Sequence, residues 1–555
     1  GAFPHGGELL GAPTVDSLTS QEELPMRSRC CIVTLLTSLI LSGCQSTQTP
    51  STASGDFRSI PLSTLRDKIE GGWAGQMIGV SYGYPTEFWF NEKIIPEEKL
   101  PQWTTDSIAN ALDQDDLYVD MTFASVLDKK GLGATTEDFG AMFREAKYRL
   151  WHANLAARRA LKRGVPASFT GTPQYNVHAN DIDFQIESDF IGLMTPGLFQ
   201  ASNDLCYRVG RVMNYGDGIY GGMFVSGMYS AAFFEADPRK IVESGLACLP
   251  SKSPYAQAIS DVLSWSRQHP TDWQQVWDLI EKKWNVPEAC SEGARRPFNI
   301  DAKLNGAYIA VGLLYGNRDF DKTLEITTRL GQDSDCNPSN ACGILGVMQG
   351  YQWIPDTWKG GIPAIADKKF NYTEFTFRTI VKSTEKRAIA LVEQNGGRIE
   401  GDKLIVKLQQ PKPGNLEVWD NYGSPVERIV FDDTRWAWKG KWITQKDKDR
   451  RGTPRDNRGT SEKGAEASIL FEGSGAIVVG PYLPTGGRAD VFLDGKLDRT
   501  VDVYSDEENK KFGEAIWHTF GLAPGKHTVR LVAKGEPYPG SKGSEIAITD
   551  LIVFR

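Results

Sequence analysis

The sequence is short of positive charge. Sixty-two Lys and Arg stand against 70 Asp and Glu, giving a net charge of −8 with no strong basic block. That balance argues against nucleic acid as a principal partner. Hydrophobic stretches are modest too. The apolar run from Cys30 to Leu41 is too short to span a bilayer. Cysteine is scarce, eight in 555 residues, and no CxxC spacing occurs. Neither a zinc site nor a disulfide framework is signalled. What is present is a globular composition, 40% hydrophobic and 24% charged, in a chain too long for one ordinary core. Fifteen Trp and 18 Tyr are a generous supply of rings, useful for stacking on sugars and equally useful in cores.

The N-terminal part reads as an export signal. Met26-Arg27-Ser28-Arg29 is a positive start, Cys30 to Leu41 an apolar core, and Leu41-Ser42-Gly43-Cys44 looks like a bacterial lipobox. The expectation is a signal peptide over 26–43, lipidation of Cys44, and a polar tether over 44–58. Residues 1–25 read as an extension that precedes the signal and has no evident role in it. A lipid-anchored protein of the bacterial cell envelope, periplasmic or surface-facing, follows from this reading. Five cysteines are then left: Cys206, Cys248, Cys290, Cys336 and Cys342. A single disulfide among them is open.

Residues 59–395 read as helical. Thr64-Leu65-Arg66-Asp67 has the form of a capping box, and Leu65, Ile69 and Trp73 recur at helical spacing. Glycines four apart in Gly71 to Gly79 predict close helix–helix approach, and the helix ends in a turn carrying Glu87. Asp115 and Asp116 open another helix, with Val119, Phe123, Val126 and Leu127 as its apolar stripe. Residues His152 to Asp183 read as a long polar and aromatic loop containing His178. Glu187 and Asp189 follow in apolar surroundings, where an acid must find a partner. Gly216-Asp217-Gly218-Ile219-Tyr220 reads as a glycine-rich turn whose N–H groups can meet an anion or sugar hydroxyls, opening a helix from Met223 to Phe234. Tight helix packing explains those glycines equally well. The tryptophans 265, 273, 277 and 284 read as core. From 396 to 555 the texture turns to period-two strands with Asp494-Gly495 and Pro524-Gly525 turns, predicting an all-β sandwich of jelly-roll type. The charged stretch Gln445 to Lys463 reads as a mobile loop.

One stretch organises the rest: Gly331-Gln332-Asp333-Ser334-Asp335-Cys336-Asn337, running into a small-residue helix. Two aspartates two apart at the mouth of a buried helix repel one another unless a cation neutralises them. Oxygen ligands suit Mg²⁺, Mn²⁺ or Ca²⁺. The plain alternative is one capping aspartate and one solvated one.

Taken together, these motifs resemble the ADP-ribosylglycohydrolase family. The glycine-spaced helix ending in an acid matches Gly75 to Phe88 with Glu87. The paired-aspartate motif matches Asp115-Asp116, and the C-terminal Asp-x-Asp motif matches Asp333-Ser334-Asp335-Cys336. The resemblance implies an all-α catalytic domain with one or two Mg²⁺ ions, or Mn²⁺ or Ca²⁺, held by Asp115, Asp116, Asp333 and Asp335. It implies hydrolysis of a glycosyl bond, with Glu87, Asp189 or Asp116 in catalysis. Glu187, His178, Asp217, Gly218, Tyr220, Cys336 and Asn337 are the candidate substrate contacts. The sequence departs from the family at Val80, Leu117 and Cys336. A thiol suits a hard cation poorly, so one metal position is expected to be altered. The β region resembles carbohydrate-binding modules. The expected activity is a metal-dependent glycosidase acting on an extracytoplasmic glycan or glycoside, with a furanoside as one candidate. The alternatives are ADP-ribosyl hydrolysis and a non-catalytic surface glycan-binding lipoprotein.

Overall fold

The computed structural model describes residues 56–449, 452–507 and 509–555. The signal segment, Cys44 and most of the tether lie outside the described residues. No helix among those described is long and apolar enough to cross a membrane.

The expected tether gives way to structure by Phe57. Phe57–Pro61 is a strand, paired antiparallel with Lys403–Lys407, which also pairs with Arg398–Glu400. This small sheet ties the start of the helical region to its end. The chain passes from Pro61 straight into the helix Leu62–Gly83. Thr64 therefore lies inside the first turn, not at a capping box. The neighbouring sheet supplies the cap, because the Leu62 N–H donates to the Asp402 carbonyl at 2.8 Å.

The glycine spacing does what its period predicts. A Cβ on Gly75 would stand 2.1 Å from the Cys342 carbonyl oxygen, on Gly79 2.3 Å from that of Pro338, and on Gly83 2.0 Å from that of Ser334. Helix Leu62–Gly83 thus lies in backbone contact with helix Cys336–Gln349 over three successive turns. Only residues without a side chain allow that approach. The consequence is positional: the loop before the second helix is pinned to the end of the first.

Two segments differ from expectation. The supposed loop after His152 begins with a helix, His152–Lys162, burying Leu155, Ala157, Arg158 and Leu161. Its polar residues misled because Arg158 and Arg159 are buried against another part of the chain. The helix expected from Met223 begins at Asp217, so only Gly216, with φ of 52°, belongs to the turn. All five cysteines are free and buried.

Besides a smaller sheet of three strands, Ile546–Ile548, Asn457–Thr460 and Ile443–Gln445, the β region holds two larger antiparallel sheets. One orders its five strands as Lys496–Asp502, Gly487–Leu493, Gly525–Pro537, Glu466–Gly473 and Ala437–Lys439. The other orders four: Lys511–Thr519, Gly475–Tyr482, Asp550–Phe554 and Pro425–Val430. The stretch expected to be a mobile loop carries a strand, Asn457–Thr460, paired on both sides. Strand Gly475–Tyr482 is buried at every position. Its Ala476 and Val478 join the main core, while Ile477 and Val479 cluster with Val177, Ala179 and Trp419. Alternate side chains thus serve the sandwich and the helical region. The junction is fastened by ion pairs: Arg158 to Glu507, Arg159 to Asp502, and Arg163 to Asp502 and Asp506.

Candidate metal centre

Asp115 and Asp116 occupy the first turn of helix Asp115–Lys130, as predicted. Asp116 is fully buried, and so is Asp120 one turn on. Asp189, Glu187, Asp333 and Asp335 are buried as well. The sequence reading missed Asp120, although its i,i+4 spacing from Asp116 puts both on one helix face. One oxygen of each of Asp116, Asp120, Asp189, Asp333 and Asp335 is buried without a hydrogen-bond partner. Among the described residues no Lys or Arg ion pair reaches any of these five.

Such a cluster is costly as it stands. Burial, with the charges of Asp115 and Asp335, pushes the Asp116 carboxyl well above its ordinary range. Burial and the Asp333 charge do the same to Asp335. Burial brings Asp333 and Asp189 each to about 7. Acids held close and desolvated keep protons unless a cation enters. The orphaned oxygens and the all-oxygen donor set of the aspartates fit a hard divalent cation.

Cys336 does not fit as a ligand. Burial and the surrounding carboxylates push its thiol far up, so it stays protonated. Its S–H donates to Asp116 Oδ2 at 3.3 Å. The residue thus orients an aspartate where a hydroxyl was expected. Asp333, Asp335 and Cys336 still lie close enough that their donor atoms are within 4.8 Å of one another.

Two loops hold this arrangement. The Phe88 N–H donates to the Gln332 carbonyl at 3.0 Å, and the Gln332 N–H to the Phe90 carbonyl at 3.2 Å. Thr86 Oγ1 and Ser334 Oγ lie 2.8 Å apart. Phe88 and Gln332 both have positive φ, 53° and 52°. Each costs on the order of 1–3 kcal/mol and persists because packing on both sides enforces it. Half-buried Glu87 is thereby held in electrostatic reach of Asp333. Asn340, which sequence reasoning missed, donates to Asp189 Oδ2 at 2.8 Å. It lies one turn beyond Cys336 on the same helix.

The other candidates are placed as follows. Glu187 accepts from Asn154 Nδ2 and is raised by burial and by the Asp183 charge. Asn337 Nδ2 donates to Asn305 Oδ1 at 2.9 Å, and its own Oδ1 is buried and unpaired. His178 Nδ1 lies 2.7 Å from Asp181 Oδ2. The expected N–H cradle at Gly218 and Tyr220 is already used: Gly218 N–H donates to Tyr215, and Tyr220 N–H to Gly216. The Tyr220 hydroxyl meets the Asn415 carbonyl and the Glu417 N–H, and Asp217 accepts from the Tyr255 N–H at 3.3 Å. A helix beginning six residues earlier than expected consumes those donors.

A family model for ADP-ribosylglycohydrolase matches residues 61–386, which include every aspartate of this cluster. The chain belongs to the ADP-ribosylglycohydrolase family. Membership supports a glycosyl-hydrolase-like function. A curated relative, the "A type blood alpha-D-galactosamine galactosaminidase" of Flavonifractor plautii, is 36% identical over 73 residues, 13% of this chain. The match spans only 6% of that relative's length. Among solved structures, an "ADP-ribosylglycohydrolase-related protein complex" aligns with 59% of this chain and 99% of its own, at 15% identity and a TM-score of 0.37. A "Carbohydrate-Binding Module CBM36 in complex with calcium and xylotriose" aligns with 23% of this chain and 100% of its own, at 9% identity and a TM-score of 0.17.

Proposed function

We propose that this family member is a metal-dependent glycoside hydrolase acting on a glycan or glycoside outside the cytoplasm. The observation that carries the reading is the set of buried aspartates with orphaned oxygens and no basic partner. Asp116, Asp333 and Asp335, with Asp115, would hold Mg²⁺ or Mn²⁺. When bound, such a cation supplies Lewis acidity and orients water or sugar hydroxyls. Asp189, held by Asn340, and Glu87, on the turn after the first helix, would exchange protons with the leaving oxygen and the attacking water. Phe88 and Phe298, whose ring centroids are 4.6 Å apart, give an apolar wall beside them. The extracytoplasmic setting rests on residues 26–58, and the furanoside preference on the likeness of such rings to ribose.

Metal content and glycoside cleavage test this, compared between the intact chain and Asp333→Asn/Asp335→Asn. Bound Mg²⁺ or Mn²⁺ and turnover, both lost in the variant, support it. Release of ADP-ribose in preference to any glycoside would redirect it to the family's named chemistry. A second reading, a glycan-binding protein without turnover, is favoured by Cys336. Its sign would be glycan binding unchanged in the same variant, with neither ion taken up by either protein.

A further inference from the structure

The absence of CxxC excludes only sites built on closely paired cysteines. A different set of ligand types meets outside the acidic centre. His178, Asp181 and Cys290 each offer one donor atom, and these three atoms lie within 4.8 Å of one another. All three residues are buried. They share no member with the aspartate cluster. An imidazole nitrogen, a carboxylate oxygen and a sulfur are donors that Zn²⁺ takes readily and Mg²⁺ does not.

Two chain segments deliver these donors, and hydrogen bonds fix both. The His178 N–H donates to Asn176 Oδ1 at 3.0 Å, and the Asp181 N–H to the His178 carbonyl at 2.9 Å. Residues 180–182 then run antiparallel to 300–302. The Ala302 N–H donates to the Asn180 carbonyl and the Ile182 N–H to the Ile300 carbonyl, both at 3.0 Å. Cys290 comes from the loop between helices Trp273–Trp284 and Ala302–Gly316. The Ala294 N–H donates to the Cys290 carbonyl at 2.9 Å. The sandwich clamps the next residue: Ser291 Oγ donates to the Gly513 carbonyl and Arg428 Nη2 to the Ser291 carbonyl, each at 2.6 Å. Ligands whose backbones are already fixed lose little freedom when an ion enters.

His178 Nδ1 and Asp181 Oδ2, 2.7 Å apart, form a hydrogen bond as they stand. Among the described residues no Lys or Arg pairs with Asp181, and Lys303 is taken by Asp301 and Glu288. A divalent cation held by a thiolate, a carboxylate and a neutral imidazole makes a site without net charge, which burial tolerates. At bond lengths of about 2.0–2.3 Å the donors around such an ion stand roughly 3.5 Å apart, so Nδ1 and Oδ2 need to part only slightly. The Cys290 thiol proton leaves to solvent as the sulfur binds. Cys290 also lines a cavity of about 340 Å³, together with Glu288, Arg295 and Arg296. Water from that cavity can fill a fourth position.

The Cys290 loop reaches the acidic centre directly. Its Asn299 N–H donates to Gln332 Oε1, and Gln332 Nε2 donates back to the Pro297 carbonyl, each at 3.0 Å. Gln332 immediately precedes Asp333. Cys290 and Cys336 belong to one apolar cluster with Ile182, Ile186 and Ile300. We infer that His178, Asp181 and Cys290 form a second metal site, which takes a thiophilic divalent cation of the Zn²⁺ class and fixes the loop that supports the acidic centre. The site stands whether or not the chain cleaves glycosides.

The test strips metal from the full chain and titrates it with Zn²⁺ and with Co²⁺, whose thiolate complexes absorb in the near ultraviolet. It is done in the Asp333→Asn/Asp335→Asn background, where the acidic ligands are gone. That chain should bind about one equivalent of Zn²⁺ and show the cobalt–thiolate band. Adding Cys290→Ser should remove the band and weaken Zn²⁺ binding by at least about a hundredfold, and adding His178→Gln should weaken binding likewise. Adding Cys336→Ser, which removes the thiol beside Asp116, should change neither. Melting temperatures of the metal-free variants check folding. If Cys290→Ser does not fold, zinc X-ray absorption of the background chain decides. A first shell with one sulfur and one imidazole, the sulfur retained in Cys336→Ser, supports the site, and a shell of oxygen and nitrogen alone overturns it. No Zn²⁺ bound by the background chain, or a band kept in Cys290→Ser and lost in Cys336→Ser, also overturns it.

Discussion

Two sets of buried acids in this molecule are treated in opposite ways. At the junction, Asp502 and Glu507 each face a guanidinium, from Arg159 and Arg163 or from Arg158. Burial works against the charge of Asp502, but the hydrogen bond from Arg163 and the charge of Arg159 outweigh it and bring the carboxyl down to about 2. Arg159 also lies 3.6 Å from the centre of the Tyr482 ring. In the acidic centre, burial takes Asp333 up to about 7, with no arginine to answer it. The first arrangement is complete in itself and fastens two regions. The second is not balanced by any basic group among the described residues, and the proposed cation would supply that balance.

The largest test removes the unbalanced set. Asp333→Asn/Asp335→Asn should abolish Mg²⁺ or Mn²⁺ uptake by elemental analysis and lower any turnover by at least about a hundredfold. It should leave the metal-free melting temperature equal or higher, since two mutually repelling groups are gone. The reverse pattern is expected at the junction. Arg159→Ala/Arg163→Ala together strand Asp502 and should cost about 3 kcal/mol in urea unfolding, with metal uptake unchanged.

The glycine contact is the next point to break. Gly79→Ala forces a Cβ against the Pro338 carbonyl and should destabilise by about 1–3 kcal/mol. Because helix Cys336–Gln349, which contains Pro338, follows directly on the Asp333 to Asp335 loop, metal affinity should fall as well, as titration calorimetry would register.

Acidity separates the two sets by sign. Asp333 and Asp189 have folded values raised to about 7, so the metal-free protein holds extra protons. Their contribution favours the fold at low pH and is lost as pH rises from about 4 to 7. Mg²⁺ replaces those protons, so its stabilising shift in melting temperature should be larger at pH 8 than at pH 5.5. Asp502, depressed to about 2, stabilises above about pH 4 and loses that effect as pH falls toward 2. A Mg²⁺ shift independent of pH would contradict the assignment. The smallest effect expected is from Cys336→Ser. A hydroxyl suits a hard cation better than a thiol, so Mg²⁺ binding should tighten, by less than about tenfold.

Local chemistry was legible in the sequence wherever it followed a short period or spacing. The glycine repeat announced a close helix pair, Asp115-Asp116 a helix start, Asp333-x-Asp335 a candidate ligand pair, and the period-two runs a β region. Each of these depends on neighbours within a few residues. The tertiary structure alone decided what depends on distant partners. Thr64 was displaced from a cap by a strand 340 residues away in sequence. His152–Lys162 read as loop because its buried arginines find their acids only in the sandwich. The donors of Gly218 and Tyr220 were spent within a helix whose start was misplaced. Asp120 and Asn340 gained meaning only when three helices brought them to Asp189. A sequence states which charges a chain carries; which of them are paired, and which are buried without a partner, is fixed by long-range packing.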